Sequence, residues 1–359
     1  SFISTMRKEY GTAMGDMLSR DLQADITAGT PLTGRKIREL ILRAETSQSD
    51  TIEAIVNSAL DKAGLKGGHL DTMDEHKRIM LESELTTSCK QLFSLQGEEQ
   101  LTSAMDIIDK AGGTSESIEL AFEALSSQGP DACRELASRL MAKYTGDEMP
   151  SVALSIIKSM EANVPTTDHV PIIDVVFGGL AKKGPDVCTE VGSQLMKAQL
   201  PRESSDPTTF LRSNNTASRF AKNFMVHFGG DYITQLKAEV KKELQSLDTQ
   251  GKTPEEIQKQ IAQVVIDKVG QSGANLPPSI QKFLSTMKGI CGTEEQRTHF
   301  GKDMGPTMVK DFLMLRFIAP LLVVGLLYPA VHSPAADELT RLKAMRLQTA
   351  LVADGRPAC

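Results

Sequence analysis

The sequence predicts an all-α protein, and three observations carry that expectation. Leu, Ala, Met, Lys and Glu recur throughout, while aromatic residues make up 4% of the chain and tryptophan is absent. Unbranched side chains lose little rotamer freedom in a helix, whereas β-branched and aromatic residues are the usual strand formers. Apolar positions recur at intervals of three and four in segment after segment. No stretch of any length alternates with the two-residue period of a strand.

At 359 residues the chain is long enough to bury a substantial core. Residues 1–95 read as an N-terminal helical extension. Within it Ile37, Leu40 and Ile41, then Ile52, Ile55, Val56 and Leu60, line one helical face, and Gly64 and Gly67-Gly68 stop it. Lys36, Arg38 and Arg43 decorate solvated faces, and His69 and His76 have no partner at metal-ligand spacing.

Residues 96–359 read as a larger helical domain that opens, between 100 and 200, with an internal repeat. Gly129-Pro130-Asp131-Ala132-Cys133 reappears as Gly184-Pro185-Asp186-Val187-Cys188, and Phe122 and Leu125 upstream match Phe177 and Leu180. Each copy predicts helix, Gly-Pro break, helix, because proline at the first helical position lacks only an N–H that would have no partner there. Two copies fit either a start of stacked helical pairs or two hairpins of one larger domain. Cys133 and Cys188 hold equivalent places and read as small core residues.

The core of this domain spans about 201–347, with a short or truncated C-terminal part expected beyond it. Ala217, Phe220, Phe224 and Phe228 define a helix that Gly229-Gly230 breaks, and Ile233, Leu236, Val240 and Leu244 define the next. Thr253-Pro254-Glu255-Glu256 is a capping box opening a helix through Ile257, Ile261, Val265 and Val269. Pro277-Pro278-Ser279 opens another, with Ile280, Phe283, Leu284 and Met287 inward, and a last helix is expected from Thr307 to Phe317.

Composition excludes several function classes. A formal charge of −6 argues against general nucleic-acid binding, which needs enough Lys and Arg to displace phosphate counterions. The five cysteines are scattered, odd in number and without a CxxC pair, which suits free thiols in a reducing compartment. The apolar run Phe317–Val331 is shorter than the roughly 20 residues a membrane-spanning helix needs and carries two prolines, so no transmembrane segment is expected. No phosphate-binding Gly-rich loop, HExxH or GxSxG stands in the sequence, and the six histidines are dispersed. Neither a metal site nor a self-contained active site is expected.

Two arginines remain. Arg212 sits between Phe210-Leu211 and Ser213-Asn214-Asn215, immediately before a strongly periodic helix, where a side chain can be presented outward. Arg316 stands among Phe312, Leu315 and Pro320 in an apolar helix, and its permanent charge obliges it to find a partner there.

The stretch from Thr208 to Val324 resembles the catalytic domain of Ras GTPase-activating proteins of the neurofibromin and SynGAP type. Four motifs carry the resemblance in order. Thr209-Phe210-Leu211-Arg212-Ser213-Asn214-Asn215-Thr216-Ala217-Ser218-Arg219 is similar to the finger-loop pattern T-L-F-R-x-N-S-L-A-S-K, and Phe228-Gly229-Gly230-Asp231-Tyr232-Ile233 to its Tyr-Gly-x-x-Tyr-Leu continuation. Leu276-Pro277-Pro278-Ser279-Ile280 resembles the family's P-P-x-L helix start, and Phe312-Leu313-Met314-Leu315-Arg316-Phe317-Ile318-Ala319-Pro320-Leu321 its F-L-F-L-R-F-I-N-P-A signature. Thr216 replaces a leucine of the pattern and Ala319 an asparagine.

The resemblance implies that Arg212 is an arginine finger supplied in trans to a GTP-bound Ras-family GTPase, which itself binds the GTP and Mg²⁺; the chain needs no cofactor of its own. It implies that Arg316 braces the finger loop through backbone carbonyls, with Thr209, Phe210, Leu211, Ser213, Asn214, Phe312, Leu315 and Pro320 shaping that loop. Arg219, Lys222, Lys310 and Lys343 then fall to GTPase binding. From Arg212 to Lys242 six Lys or Arg stand against Asp231 and Glu239, a basic stretch in an acidic chain that favours steering toward an acidic partner. The implied setting is the cytoplasm, or the host cytosol for a secreted bacterial effector. A non-catalytic GTPase-binding scaffold of the same fold and a helical-repeat interaction protein are the two alternatives the residues leave open.

Overall fold

A computed structural model describes residues 34–66, 72–200, 215–247, 253–294, 305–313 and 318. Every regular element among them is helical, as the composition and periodicity predict. The chain divides into two units, Ser1–Leu180 and Ala181–Cys359.

In the first unit α1 (Gly34–Lys62), α2 (Thr72–Leu92), α3 (Gly97–Lys110), α4 (Ser115–Ser126), α5 (Pro130–Lys143), α6 (Met149–Asn163) and α7 (His169–Ala181) follow one another through short connections. The centre is α4, which packs on α1, α3, α5 and α6. Its Ile118, Leu120, Ala121, Phe122, Ala124 and Leu125 are all buried, which places apolar side chains on more than one face, as a helix surrounded by others requires. The polar atoms taken into this core have partners. Gln100 is buried, and its amide donates to Leu92 O at 2.9 Å and Ala124 O at 3.3 Å, two carbonyls in the last turns of α2 and α4 that have no partner within their own helices.

In the second unit α8 (Pro185–Gln199), α9 (Thr216–Phe228), α10 (Gly230–Gln245), α11 (Pro254–Ser272), α12 (Pro278–Cys291) and α13 (Gly305–Phe312) pack as a connected set. Helix α8 lies against α9 and α12, α12 against α9 and α13, and the α10–α11 pair extends from α9. Tyr232 of α10 and Ser272 of α11 share a buried hydrogen bond of 2.8 Å, and Lys268 pairs with Glu243 at 3.2 Å. The capping box expected at Thr253 is formed: Glu256 N donates to Thr253 Oγ1 and Thr253 N to Glu256 Oε2 at 2.8 Å.

The repeat is reproduced in backbone detail. Gly129 and Gly184, each in front of its proline, adopt φ 107°, ψ 173° and φ 112°, ψ 174°. A side chain is strained at such a φ, so glycine is what permits the same turn into α5 and α8. Cys133 and Cys188 are both fully buried one turn later, as their place in the repeat predicts.

Helix α13 covers Gly305–Phe312, within the helix expected from Thr307 to Phe317; residues 314–317 of that expectation lie outside the described residues. Among the described residues no helix is long and apolar enough to cross a membrane.

Candidate functional site

The site is assembled from the start of α9. Its first turn carries backbone N–H groups that have no acceptor within the helix, and the structure supplies two from side chains. Asn215, extended at φ −77°, ψ 170°, caps the helix by accepting from Ser218 N at 2.7 Å. Ala217 N donates to the side-chain oxygen of Gln199, the last residue of α8, at 3.0 Å. Gln199 and Thr216 are both buried, so this second bond is shielded from water. One acceptor is local and the other comes from another helix; together they fix where α9 begins and how it points.

Behind that turn the apolar stripe is seated in the core. Ala217, Phe220, Ala221, Phe224 and Met225 are buried, and Phe228 is half-buried. Phe224 stacks on Phe283 of α12 with ring centroids 4.1 Å apart. Gly192 of α8 makes the approach possible: a Cβ there would meet Phe283 at 3.0 Å and Phe220 at 3.3 Å. The outward side of α9 is polar, with Lys222 exposed and Arg219 half-buried.

Phe312 ends α13 and is 1% exposed. Since α13 packs on α12, and α12 packs on α9 and α8, the beginning of the Phe312–Leu321 stretch and the helix that follows Arg212 join one cluster. The Leu276–Ile280 stretch opens α12 itself, with Ile280 buried, and Phe228–Ile233 forms the α9–α10 junction, where Gly229 N bonds Met225 O at 2.9 Å and Ile233 N bonds Gly229 O at 3.0 Å. The described parts of all four motif stretches therefore lie in the second unit.

Of the individual residues singled out by sequence, Phe312, Arg219 and Lys222 are placed as above. Lys310 lies in α13, its side chain outside the described residues. Thr209, Phe210, Leu211, Arg212, Ser213, Asn214, Leu315, Arg316, Pro320 and Lys343 lie outside the described residues. Sequence reasoning missed Gln199 and the capping role of Asn215. The cap had a signal, an asparagine directly before a periodic helix; Gln199 had none.

The two described thiols of this unit, Cys188 and Cys291, are buried. Burial pushes Cys188 and Cys291 up to about 12, well above the range in which a thiolate forms at neutral pH. Among the described residues no group of three or more His, Cys, Asp or Glu could hold a metal ion.

No family model, no curated protein and no solved structure matches this chain.

Proposed function

We propose that this protein stimulates GTP hydrolysis by a Ras-family small GTPase, with Arg212 inserted in trans as an arginine finger. The support in sequence is the ordered set of four motif stretches. The support in structure is one observation: α9, which begins four residues after Arg212, is held at its first turn by Asn215 and Gln199 and along its length by the Phe220–Phe224–Phe283 packing. A finger acts only if the chain that presents it is fixed, because a misplacement of about 1 Å costs on the order of a hundredfold in rate.

In this reading the partner holds GTP and Mg²⁺, and charge builds on the bridging and γ-phosphate oxygens as the bond breaks. A guanidinium neutralises that charge, and its planar fork reaches two oxygens at once, which a lysine cannot do. A finger of this kind contributes about 10³- to 10⁵-fold in rate. Arg316 braces the finger loop through backbone carbonyls, and Arg219, Lys222, Lys310 and Lys343 contact the GTPase. The substrate complex is cytosolic, so the protein acts there.

Single-turnover GTP hydrolysis by a panel of Ras, Rap and Rho-type GTPases tests the proposal. Wild-type protein accelerates at least one of them, and Arg212→Ala loses about 10³-fold or more of that stimulation while still forming a complex with the GTPase in its GDP–aluminium fluoride state. Acceleration of none, or an Arg212→Ala protein as active as wild type, overturns it. Binding to the GTP-bound form with hydrolysis unchanged identifies a non-catalytic scaffold instead.

A further inference from the structure

The start of α9 has its own sequence signal in Asn215, whose side chain accepts from Ser218 N. At α9 a side chain from another helix completes the first turn. Gln199 closes α8, is 8% exposed, and accepts on its Oε1 from Ala217 N at 3.0 Å across eighteen residues of sequence. A buried glutamine side chain is costly to order and desolvate, so it serves where its geometry is used. Here it aligns α8, the proline-started helix of the second repeat copy, with the helix start that follows the proposed finger. Asn215 leaves a gap that Gln199 fills: the cap satisfies Ser218 N and the glutamine satisfies Ala217 N, so both orientation and register of the turn are set.

We infer that Gln199 is a positioning residue for GTPase activation, mooring the first turn of α9 to the repeat helix α8 so that the start of α9 is held in one orientation. The inference rests on the activator function proposed above. It gives the repeat a part in the reaction: α8 supplies the mooring glutamine at its end and, through Gly192 about two turns earlier, the seat for Phe220 and Phe283.

The mechanism predicts a separation between turnover and binding. Without the acceptor, Ala217 N is left unsatisfied in a buried setting and the first turn of α9 opens more often, while the Phe224–Phe283 packing further along is untouched. Binding contacts on the outward side of α9 persist, so the loss falls on the rate within the complex.

The experiment uses the full chain with Gln199→Leu, which keeps the bulk and removes the acceptor, and Ile290→Val, at a buried position of α12, as a control that trims the core and leaves the bond in place. Stimulated hydrolysis is followed as a function of GTP-loaded GTPase, and amide exchange is followed by NMR or mass spectrometry. Gln199→Leu lowers kcat about tenfold with KM within about twofold, and exchange at Ala217 and Ser218 rises about tenfold or more while amides from Phe220 to Phe228 stay protected. Ile290→Val keeps kcat. A Gln199→Leu protein with wild-type kcat, or one whose rate falls no further than that of Ile290→Val at equal stability, overturns the inference and leaves the activator function standing. Wild-type protein that accelerates no GTPase overturns both.

Discussion

Phe224 of α9 and Phe283 of α12 stack with ring centroids 4.1 Å apart and planes 14° from parallel, and both rings are buried. Such a pair contributes about 0.5–1.5 kcal/mol beyond the area it removes from water. It also fixes the azimuth of α9, since only one rotation about the helix axis brings Phe224 over Phe283. Phe224→Ala removes the stack and leaves a cavity, at an expected cost of about 3–5 kcal/mol. Urea denaturation followed by circular dichroism reads this as a lower midpoint with unchanged slope, and Phe224→Leu falls between the variant and wild type. A loss under about 1 kcal/mol for the alanine variant would mean that the stack does not hold the helix.

The buried thiols set a pH dependence with a definite sign. Burial raises Cys89 to about 11 and Cys133, Cys188 and Cys291 to about 12. In the unfolded chain these thiols ionise near 8.5. The folded state therefore binds more protons than the unfolded state above that value, and its stability falls as pH rises. The contribution is complete below about pH 8.5 and is lost between there and the folded values at 11 to 12. Burial also holds Tyr144 up at about 12, which acts in the same direction from a higher starting point. Urea midpoints measured from pH 7 to pH 10 should fall steadily above 8.5. On a Cys359→Ser background, the four thiols should resist a thiol reagent at pH 8 until denaturant is added; rapid labelling of the native protein would contradict their burial.

How much of this could be read in the sequence depends on whether a feature is local. The stripe Ala217–Phe220–Phe224, the break at Gly229, the Thr253 capping box and the inward face Ile280–Phe283–Leu284–Met287 all follow from spacing within one segment, and all are present. Periodicity assigns Phe224 and Phe283 to buried faces but carries no information that they meet each other. The same limit hides Gln199: a glutamine at the end of an amphipathic helix looks like a solvated residue until another helix places an unsatisfied N–H beside it. Helix α13, Gly305–Phe312, is the described part of the run to Phe317 that apolar spacing suggests. For the arginines, the sequence supplies a resemblance and a chemistry, while the described structure supplies the anchored helix behind Arg212 and the burial of Phe312 ahead of Arg316.

Two glycines in helix interiors separate close packing from backbone propensity. In an exposed helix, Gly→Ala gains about 0.5–1 kcal/mol because alanine loses less backbone freedom on folding. Gly289 of α12 is exposed and nothing lies within 4 Å of the Cβ that alanine would add, so Gly289→Ala should stabilise the protein by about that amount. Gly192 of α8 differs, because its added Cβ would stand 3.0 Å from one phenylalanine ring and 3.3 Å from another. Neither ring has room to retreat: Phe220 is fully buried, and Phe283 is pinned between Gly192 and its stack on Phe224. Overpacking of this kind costs about 1–3 kcal/mol, which outweighs the propensity gain, so Gly192→Ala should destabilise. Thermal or urea denaturation of the two variants side by side checks the sign at each position. Under the proposed activator function the steric cost at Gly192 also reaches the reaction, since moving Phe220 shifts α9 itself: stimulated hydrolysis by Gly192→Ala should fall, while Gly289→Ala keeps the wild-type rate. If both variants shifted stability in the same direction, helix propensity would outweigh the approach of α8 to α9, and Gly192 would not be what seats the helix behind Arg212.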